Sequence, residues 1–453
     1  AFAKSAGVGY ITRANNQHAK AGNLNNALGQ TDGELICVFD CDHIPTAGFL
    51  QATVGGFLED AKLAMVQTPH YFYSQDPFER NLGVGEELPR EGELFYGPVQ
   101  KGNDFWNATF FCGSCAVIRR EALDETDGFA VETVTEDAHT ALRFQRKGWR
   151  TAFVSLPLAA GLATERLSLH IGQRARWARG MTQILRVDNP LFGRGLTLAQ
   201  RLCYLNAMLH FQFALPRVVF ITAPLAYLLL GQNIIASSAS MIFAYALPHL
   251  FHAIWTNSRL NGRFRYTFWG EIYESVLCFH LIKPTLVTLW DPKKGSFNVT
   301  EKGGLLEKSF FDISAVRPHL VVAFLLALGL GSGLVRFYWN EYYAIERDVM
   351  LLNVFWAGFS LITLLAAIAA AREQRQVRTN VRVPLVLPAS IYLADGHVLK
   401  TRTLDVSLGG VRLANPLEEA FDGEVEDVEI RLDDQSVVLP ARLVDADGED
   451  LRL

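Results

Sequence analysis

The sequence has few cysteines and little net charge, and each shortage excludes a class of protein. Six cysteines are scattered through 453 residues, which does not match the dense framework of a disulfide-stabilised secreted domain. The net charge of −5 provides no excess of positive charge for binding nucleic acid. We therefore expect reduced cysteines in a cytosolic setting and no nucleic-acid partner.

Two cysteine pairs leave a zinc site open. Cys112 and Cys115 form a C-x-x-C pattern, and Cys37 and Cys41 form a C-x-x-x-C pattern. Four thiolates could bind Zn²⁺. The competing interpretation, which we favour, puts Cys37 and Cys41 on a buried strand and Cys112 in a tight turn.

The sequence also lacks a signal peptide and an initiator Met at its first residue, Ala1. Its last residues have a strand-like pattern, and we expect a piece of a longer protein.

Apolar residues are abundant instead. Half of the residues are hydrophobic, and the mean hydropathy of +0.14 is high for a soluble protein of this size. Four stretches carry almost no charge, and at about 1.5 Å per helical residue each could cross most or all of a ~30 Å hydrocarbon core. These predicted membrane spans are residues 211–230, 233–255, 318–335 and 349–371.

The positions of the basic residues predict the orientation of these spans. Arginine and lysine cluster between the second and third spans and again after the fourth, which marks these segments as cytoplasmic. An even number of spans would leave both flanking regions in the cytoplasm. Residues 263–290 mix aromatic and charged side chains, which predicts a helix in the membrane interface. An ordinary cytoplasmic helix is the alternative.

The two flanking regions differ in pattern. In residues 1–195, short apolar runs at 34–40, 63–67 and 116–118 alternate with helical stretches, which favours a parallel sheet flanked by helices. Residues 372–453 show alternating runs separated by turn pairs such as Asp395-Gly396, which predicts a small antiparallel β domain.

Three groups of residues suggest chemistry. Asp40 and Asp42 end a predicted strand, where residues i and i+2 point the same way and can converge on Mg²⁺ or Mn²⁺ that holds a diphosphate. Acids in a surface turn are the alternative. Asp137, in Thr135-Glu136-Asp137, could act as a general base. The alternative is helix capping by Thr135, with the acids favoured by the helix dipole.

The third group is Gln173-Arg174-Ala175-Arg176-Trp177. Arg176 can bind phosphate oxygens, and Trp177 can stack on the apolar face of a sugar ring. The alternative is a basic amphipathic helix that Trp177 anchors in the membrane interface, and both interpretations can hold together.

Taken in order, D-x-D, T-E-D and Q-x-x-R-W resemble the motifs of processive family-2 glycosyltransferases. Similar strings of that family occur at residues 20–25, 67–69 and 110–114. Residues 297–303, F-N-V-T-E-K-G, look like the gating loop of bacterial cellulose synthases. Arg378-x-x-x-Arg382 and Asp405-x-Ser407-x-x-Gly410 match the ligand motifs of PilZ domains. The resemblance to bacterial cellulose synthase catalytic subunits covers nearly the whole chain.

This resemblance implies a multidomain protein. Residues 1–195 would form an α/β glycosyltransferase domain of GT-A-like fold without its first strand. Residues 196–371 would form the transmembrane and interfacial helices, with a gating loop at 297–303. Residues 372–453 would form a small all-β PilZ barrel that is truncated at its C-terminal end.

The resemblance also implies roles for individual residues. Asp40 and Asp42 would hold the metal, and His43 would assist them. Asp137 would be the catalytic base that activates the 4-hydroxyl of the terminal glucose. The residues expected to bind UDP-glucose or the growing glucan chain are Lys20, Cys112, Gln173, Arg176 and Trp177. The residues expected in gating are Phe297, Val299, Thr300 and Glu165.

The C-terminal motifs would bind cyclic di-GMP as an allosteric activator. Arginine pairs with guanine O6 and N7 and stacks on the base, which suits Arg378 and Arg382. Asp405, Ser407 and Gly410 would complete the site. Arginines beside a membrane can instead contact anionic lipid. We further hypothesise that Glu165 pairs with Arg378 without the ligand and holds the gating loop closed.

The expected function is polymerisation of glucose from UDP-glucose into β-1,4-glucan, with export across the bacterial inner membrane. A membrane-anchored or periplasmic accessory subunit is an implied partner. One alternative is the synthesis of another β-linked polysaccharide. A second is a non-catalytic cyclic di-GMP sensor, which would lack one of Asp40, Asp42, Asp137 or Trp177, and all four are present.

Overall fold

The chain forms two compact units in its computed structural model. The first comprises Ala1–Tyr71, Gln75–Gly304 and Ser309–Gln374, and the second Phe72–Ser74, Leu305–Lys308 and Arg375–Leu453. The gating residues 297–303 and Arg378 lie outside the described residues. The described residues are 2–84, 88–235, 237–294, 306, 308–339, 347–375, 382–407, 409–417, 421, 423–432, 435–446 and 450–453.

The first unit begins with alternating helices and short strands. Its strands are β1 (Leu35–Val38), β2 (Ile44–Pro45), β3 (Leu63–Gln67), β4 (Tyr71–Phe72), β5 (Ala116–Arg119), β6 (Arg150–Phe153) and β7 (Ala159–Gly161). Its helices are α1 (Phe2–Ser5), α2 (Ala19–Leu28), α3 (Phe49–Glu59), α4 (Pro77–Asn81), α5 (Gln100–Phe105), α6 (Arg120–Asp124), α7 (Glu136–Arg146) and α8 (Leu167–Val187), with a π-helical turn at Phe95–Val99.

A four-stranded sheet in the order β1-β5-β3-β6 forms the centre of this region. Strands β3 and β6 are parallel, whereas β5 runs antiparallel to both β1 and β3. The predicted parallel sheet is therefore wrong for two of the three pairings. An apolar run indicates a buried strand but not its direction, so the sequence pattern could not distinguish these cases.

Both faces of the sheet are covered. Successive side chains of β5 alternate between two apolar clusters, with Ile118 in one and Val117 in the other. Phe144 of α7 lies in the first cluster, and Phe49 of α3 lies in the second. The expected layers of helices on either side of a sheet are present. Burial on both faces explains why β3 is buried at every position and apolar from Leu63 to Val66 rather than alternating.

Long helices follow the α/β region. They are α9 (Leu198–His210), α10 (Ala214–Leu230), α11 (Ala239–Asn261), α12 (Thr267–Trp290), α13 (Ile313–Tyr338) and α14 (Arg347–Ala369). Of the described helices, α12, α13 and α14 are each long and apolar enough to cross a membrane. Helices α9 and α10, bent by 46°, add a fourth candidate if they form one span.

This set differs from the predicted spans at two helices. Helix α12 covers the stretch expected in the membrane interface, yet its length and hydropathy suit a span. Helix α11 covers the second predicted span but is not among the candidates. It contains Pro248 and two histidines, His249 and His252, which lower its hydropathy.

The one arginine within the predicted first span is compensated by acids of α12. Arg217 on α10 donates to Glu271 and, at 2.6 Å, to Glu274. Glu274 also accepts from Arg265 at 2.7 Å. A charge removed from water is tolerated when it is paired in this way. These ion pairs fix α10 against α12.

The remaining strands fall into two groups. The short strands β8 (Phe310–Phe311) and β9 (Arg372–Glu373) pair with each other in the first unit. The second unit contains β10 (Val383–Pro384), β11 (Pro388–Leu393), β12 (Val398–Ser407), β13 (Gly410–Ala414), β14 (Val425–Leu432), β15 (Gln435–Pro440), β16 (Asp445–Ala446) and β17 (Asp450–Arg452).

The predicted antiparallel β domain is present in the second unit. Its strand order is β15-β14-β11-β12-β13-β17-β16, with β10 on β12, and every described pairing is antiparallel. Within the described residues no pairing joins the end strands β15 and β16. Closure into a barrel therefore stays a prediction.

Helix α8 approaches the start of α7 so closely that only glycine fits at the contact. A Cβ atom added to Gly180 would lie 2.4 Å from the Thr135 side chain. We expect Gly180→Ala to lower the free energy of unfolding by about 1–3 kcal/mol, since a short threonine side chain cannot move away. Thermal unfolding of the purified protein measures the change.

Gly172, on the same helix, has no atom within 4 Å of an added Cβ and provides the control. Gly172→Ala should be neutral or stabilise by up to about 1 kcal/mol, because alanine favours helix. Equal effects of the two substitutions would contradict the proposed contact.

Candidate active site

The turn from Cys112 to Cys115 brings the site residues together. Gly113 has φ +84° and Cys115 has φ +57°. An added Cβ on Gly113 would lie 3.1 Å from Asp137 Oδ2 and 3.7 Å from Lys20 Nζ. The backbone thus passes directly beside two predicted site residues. Glycine supplies both the left-handed conformation and the space for this approach.

Lys20 and Asp40 meet beside this turn. Lys20 on α2 donates to Asp40 Oδ1 and, at 2.5 Å, to the carbonyl oxygen of Gly113. The backbone N–H of Asp40 donates to Ser114 Oγ at 2.9 Å. The end of β1, the start of α2 and the turn are therefore joined by hydrogen bonds, and a cation lies next to the first acid of D-x-D.

Asp40, Asp42 and His43 form a cluster that can bind a metal ion. One possible ligand atom from each residue lies within 4.8 Å of the others. Asp42 accepts from the backbone of Leu162 at 3.2 Å, and His43 Nδ1 lies 3.2 Å from Ser114 Oγ. Two carboxylates and an imidazole suit Mg²⁺ or Mn²⁺. The donor set fits the expected metal.

The cysteines do not form a comparable group. Among the described residues, the Asp40 cluster is the one candidate group of three or more ligands, and it contains no cysteine. The zinc alternative is therefore not supported. Our favoured interpretation of a buried strand is also wrong, because Cys37 and Cys41 are both exposed. Cys37 lies on the short strand β1, and Cys41 follows it in a turn.

Asp137 lies half-buried at the start of α7. Burial raises the pKa of its carboxyl group, against the opposing effects of the hydrogen bond from Ala138 and the charges of Lys20 and Arg176. Asp137 Oδ1 accepts from the N–H of Ala138 at 2.8 Å. A buried carboxylate with a raised pKa is a better proton acceptor than an exposed one.

Glu136 adds a second acid to the same helix turn. Burial and the charge of Asp137 raise the pKa of Glu136 to about 7. The two carboxylates are neighbours of like charge, so the charge of Asp137 opposes ionisation of Glu136. Thr135 occupies the N-cap position, but its side chain makes no capping hydrogen bond. The capping interpretation of Thr135 is therefore wrong.

Gln173, Arg176 and Trp177 lie half-buried on α8. Their spacing of three and four residues puts them on one side of the helix. Gly180 of the same helix lies against Thr135, and the charge of Arg176 lowers the pKa of Asp137, so the two motifs are near one another. The structure thus brings together the expected base and the helix expected to bind substrate.

Two residues that we did not predict hold Trp177. The Arg174 guanidinium lies 4.1 Å from the centre of the Trp177 ring, a cation–π contact. Arg174 donates two hydrogen bonds to the Glu91 carboxylate, at 3.0 and 2.5 Å. Burial opposes ionisation of Glu91, but Arg174 and His170 hold its pKa well below the usual range. The pair fixes the indole in place.

Cys112 contacts two amide side chains. Its N–H donates to Gln67 Oε1 at 2.9 Å, and its thiol lies 3.4 Å from Gln100 Nε2. Burial, followed by the charge of Asp137, raises the pKa of the thiol well above its usual value. Cys112 is therefore a neutral wall of the site next to the predicted base.

The remaining support for the turn comes from residues that sequence reasoning did not assign. Gln67 Nε2 donates to the carbonyl oxygen of Ser114 at 2.8 Å. His70 Nε2 lies 3.0 Å from the same oxygen, and burial together with His43 lowers the pKa of His70 to about 4. The sequence did carry a signal for two of these residues, because Gln67 and Ser114 lie in the strings at 67–69 and 110–114 that resemble the glycosyltransferase family.

Glu165 is buried just before α8. Its backbone oxygen accepts a hydrogen bond from Arg80 on α4. The proposed partner Arg378 and the gating residues Phe297, Val299 and Thr300 lie outside the described residues. The hypothesis of a Glu165–Arg378 pair therefore stays a prediction.

The described residues of the two C-terminal motifs, R-x-x-x-R and D-x-S-x-x-G, contact one another in the second unit. Arg382 donates to Asp405 at 2.8 Å, and Arg412 binds the other oxygen of Asp405 at 2.8 Å. Ser407 donates to the carbonyl oxygen of Gly410 at 3.0 Å, at the turn between β12 and β13. Arg382, which immediately precedes β10, is therefore held by the acid of D-x-S-x-x-G.

Comparison with family models supports both units. Residues 35–257 match the model described as glycosyl transferase family group 2. Residues 376–453 match the PilZ domain model. The second match starts within one residue of the second unit's C-terminal segment, which begins at Arg375.

Curated relatives are similar over nearly the whole chain. A cellulose synthase catalytic subunit [UDP-forming] from Pseudomonas fluorescens is 58% identical over 91% of this chain and 56% of its own length. Cellulose synthase 1 catalytic subunit [UDP-forming] from Komagataeibacter xylinus is 52% identical over 98% of this chain and 60% of its own. Cellulose synthase 1 of that species is 54% identical over 98% of this chain and 29% of its own.

The chain thus spans between 29% and 60% of the lengths of these relatives. Among solved structures, a mannosyltransferase from Pyrobaculum calidifontis in complex with GDP-Man and Mn²⁺ has a TM-score of 0.42 and 18% identity, over 63% of this chain and 70% of that one. That likeness is too low to support an inference.

The Asp40 cluster predicts a measurable metal site. We expect Asp40→Asn and Asp42→Asn each to weaken Mn²⁺ binding at least about tenfold, because affinity depends on the number of charged ligands. Electron paramagnetic resonance of Mn²⁺ titrated into the purified protein with UDP gives the dissociation constants.

Asp32→Asn is the matched control, since Asp32 is an exposed acid shortly before β1. Its affinity for Mn²⁺ should equal that of the wild type. Wild-type affinity in the Asp42→Asn protein would rule out the cluster as the metal site.

Proposed function

The chain is homologous over most of its length to the catalytic subunits of bacterial cellulose synthases, and on that premise we propose that the protein polymerises glucose from UDP-glucose into β-1,4-glucan under control by cyclic di-GMP. Its architecture is the predicted one: a GT-A-like glycosyltransferase domain, helices able to span a membrane, and a PilZ domain. The activity, donor and partners of the whole protein are our proposals.

The observation that carries the proposal is the convergence on Gly113. Asp137, with its raised pKa, and Lys20, bonded to Asp40, both lie beside this residue. A proton acceptor, a cation and a cluster suited to a metal are therefore within one small region. Inverting glycosyl transfer needs these three functions close together, because the hydroxyl must lose a proton as the diphosphate leaves.

We assign the residues as follows. Asp40, Asp42 and His43 would hold Mg²⁺ or Mn²⁺, which would neutralise charge on the UDP diphosphate. Lys20 and Arg176 would bind diphosphate oxygens. Gln173, Trp177 and Cys112 would contact the terminal glucose of the glucan chain, with Trp177 stacked on its apolar face.

Asp137 would take the proton from the 4-hydroxyl of that glucose. The hydroxyl oxygen then forms a bond to the anomeric carbon of the donor, and the bond from this carbon to the UDP oxygen breaks, with its electron pair leaving on UDP. Attack from the opposite face converts the α-linked donor into a β-1,4 linkage. Dehydration of Asp137 favours the protonated product of this step.

The second unit would bind cyclic di-GMP through Arg378, Arg382, Asp405, Ser407 and Gly410. The ion pair between Arg382 and Asp405 holds one arginine in position before the ligand arrives. We further propose residence in the bacterial inner membrane with both domains in the cytoplasm, export of the glucan between the helices, and an accessory subunit as partner.

The proposed reaction predicts labelled, insoluble polymer from membranes that contain the full-length protein. We expect UDP-glucose and Mg²⁺ to give polymer that a β-1,4-glucanase releases, and more of it with cyclic di-GMP. Asp137→Asn should reduce the rate by at least about a hundredfold, because general-base catalysis contributes that much.

Polymer that resists the glucanase would still support a glycosyltransferase but would contradict the β-1,4 linkage. Cyclic di-GMP binding without any polymer would contradict the enzyme and favour a sensor. Glu121→Gln, at an exposed acid on α6, should have wild-type activity.

The coupled acids predict the pH dependence of the rate. Burial raises the pKa of Asp137, and it raises the pKa of Glu136 to about 7, so both acids lose their charge at a higher pH than an ordinary carboxylate does. We expect the rate to fall as the pH decreases and Asp137 becomes protonated, with the midpoint of this acidic limb above the usual carboxylate pKa near 4. Initial rates in buffers from pH 5 to 9 give this profile.

Glu136→Gln removes the neighbouring charge and should let Asp137 ionise at lower pH. The acidic limb of its profile should therefore shift to lower pH, whereas Glu121→Gln leaves it in place. An unchanged limb in Glu136→Gln would show that the two acids are not coupled in the working enzyme.

A further inference from the structure

A completely buried carboxylate follows the last long helix. Glu373 lies in β9, a few residues after α14 ends, and its relative exposure is 0%. One carboxylate oxygen accepts from the N–H of Leu167 at 2.6 Å. The other accepts from Arg80 at 2.9 Å and Asn81 at 3.2 Å. A buried carboxylate needs this degree of pairing, since desolvation of an isolated charge is costly.

The contact with Leu167 places a negative charge at the first residue of α8. The first N–H groups of a helix have no partner within the helix. Arg166, at the N-cap position of α8, makes no capping hydrogen bond with its side chain. Glu373 supplies the acceptor from 206 residues away in the sequence. An anion is also favoured there by the helix dipole.

The same junction holds the end of α14 in place. Asn81 donates to the carbonyl oxygen of Ala370 at 2.9 Å, and Arg80 donates to that of Glu165. Helix α4, which carries Arg80 and Asn81, is itself fixed by a capping box at its start. The end of α14, helix α4 and the segment that leads into α8 therefore form one hydrogen-bonded unit.

Apolar packing reinforces these hydrogen bonds. Phe78 of α4, Leu167 of α8, and Ala370 and Ala371 after α14 belong to one buried cluster, each with a relative exposure of 0%. Little space remains for water to replace a lost partner of Glu373. A change at this carboxylate must therefore be met by movement of the helices around it.

We propose that Glu373 is a positioning residue for nucleotide binding, which caps α8 and ties it to the end of the last long helix. The inference rests on the proposed function in one respect, namely that Arg176 of α8 binds the UDP diphosphate. Glu373 touches no reacting atom. It acts by setting the position of the helix that carries Gln173, Arg176 and Trp177.

The test is UDP binding by the purified full-length protein with Mg²⁺, measured by calorimetry for both affinity and the fraction of sites that bind. Glu373→Ala removes the cap and the carboxylate that Arg80 contacts, and we expect the dissociation constant for UDP to rise about tenfold, the effect of a lost buried charged hydrogen bond. Glu373→Gln keeps an acceptor for Leu167, so its increase should be smaller.

Two controls separate positioning from folding. Glu59→Gln changes an exposed acid at the end of α3 and should bind UDP as the wild type does. Cyclic di-GMP binding reports the second unit and should be retained in every variant. A role in folding alone would reduce the fraction of sites that bind UDP and leave the dissociation constant unchanged.

A reduced fraction of binding sites with an unchanged dissociation constant in both Glu373 variants would overturn the proposal. A wild-type protein that does not bind UDP would instead contradict the proposed function, because the reference measurement itself would fail. A raised dissociation constant with retained cyclic di-GMP binding, ordered Glu373→Ala above Glu373→Gln, supports the positioning role.

Discussion

The left-handed turn from Cys112 to Cys115 is the constraint on which the candidate site depends. Its Gly113 carbonyl oxygen receives Lys20, its Ser114 hydroxyl receives the N–H of Asp40, and the missing side chain of Gly113 leaves room for Asp137. These residues come from separate parts of the chain, so only a rigid backbone can keep them together. The bonds from Gln67 and His70 to the turn provide that rigidity, and their burial protects it from competition by water.

Local patterns in the sequence predicted much of this region. The strand before Asp40, the helix that starts at Glu136 and the helix of the Q-x-x-R-W motif are all present, because apolar runs and helical periodicity depend on near neighbours. The strand directions were missed, since pairing is a long-range property. Family-like motifs identified Asp40, Asp42 and Asp137, but not Glu91, whose role arises only when folding brings it to Arg174.

Contacts between residues distant in the sequence also limited the prediction of the long helices. Hydropathy predicted apolar helices near residues 211–230, 318–335 and 349–371, and the structure has helices in each place. Hydropathy in the sequence did not identify α12 as a candidate span, because Glu271 and Glu274 interrupt its apolar surface. Those acids pair with Arg217 and Arg265, so charges that look unfavourable in the sequence compensate one another in the folded chain. Pairing of this kind cannot be predicted from a window of neighbouring residues.

The buried acids of the first unit differ in a way that separates support from chemistry. Glu91 is held as an anion by Arg174 and His170, and Glu373 accepts three hydrogen bonds, one of them from Arg80. Both contact α8, Glu91 through Arg174 and Glu373 through the N–H of Leu167. Asp137 has no comparable partner in direct contact among its described interactions, and burial raises its pKa. A group that exchanges a proton in every cycle must not be held in one state, since strong pairing would stabilise the anion and weaken the base. Helix α8 is thus fixed by acids with several hydrogen-bond partners and faces Asp137, whose charge can change.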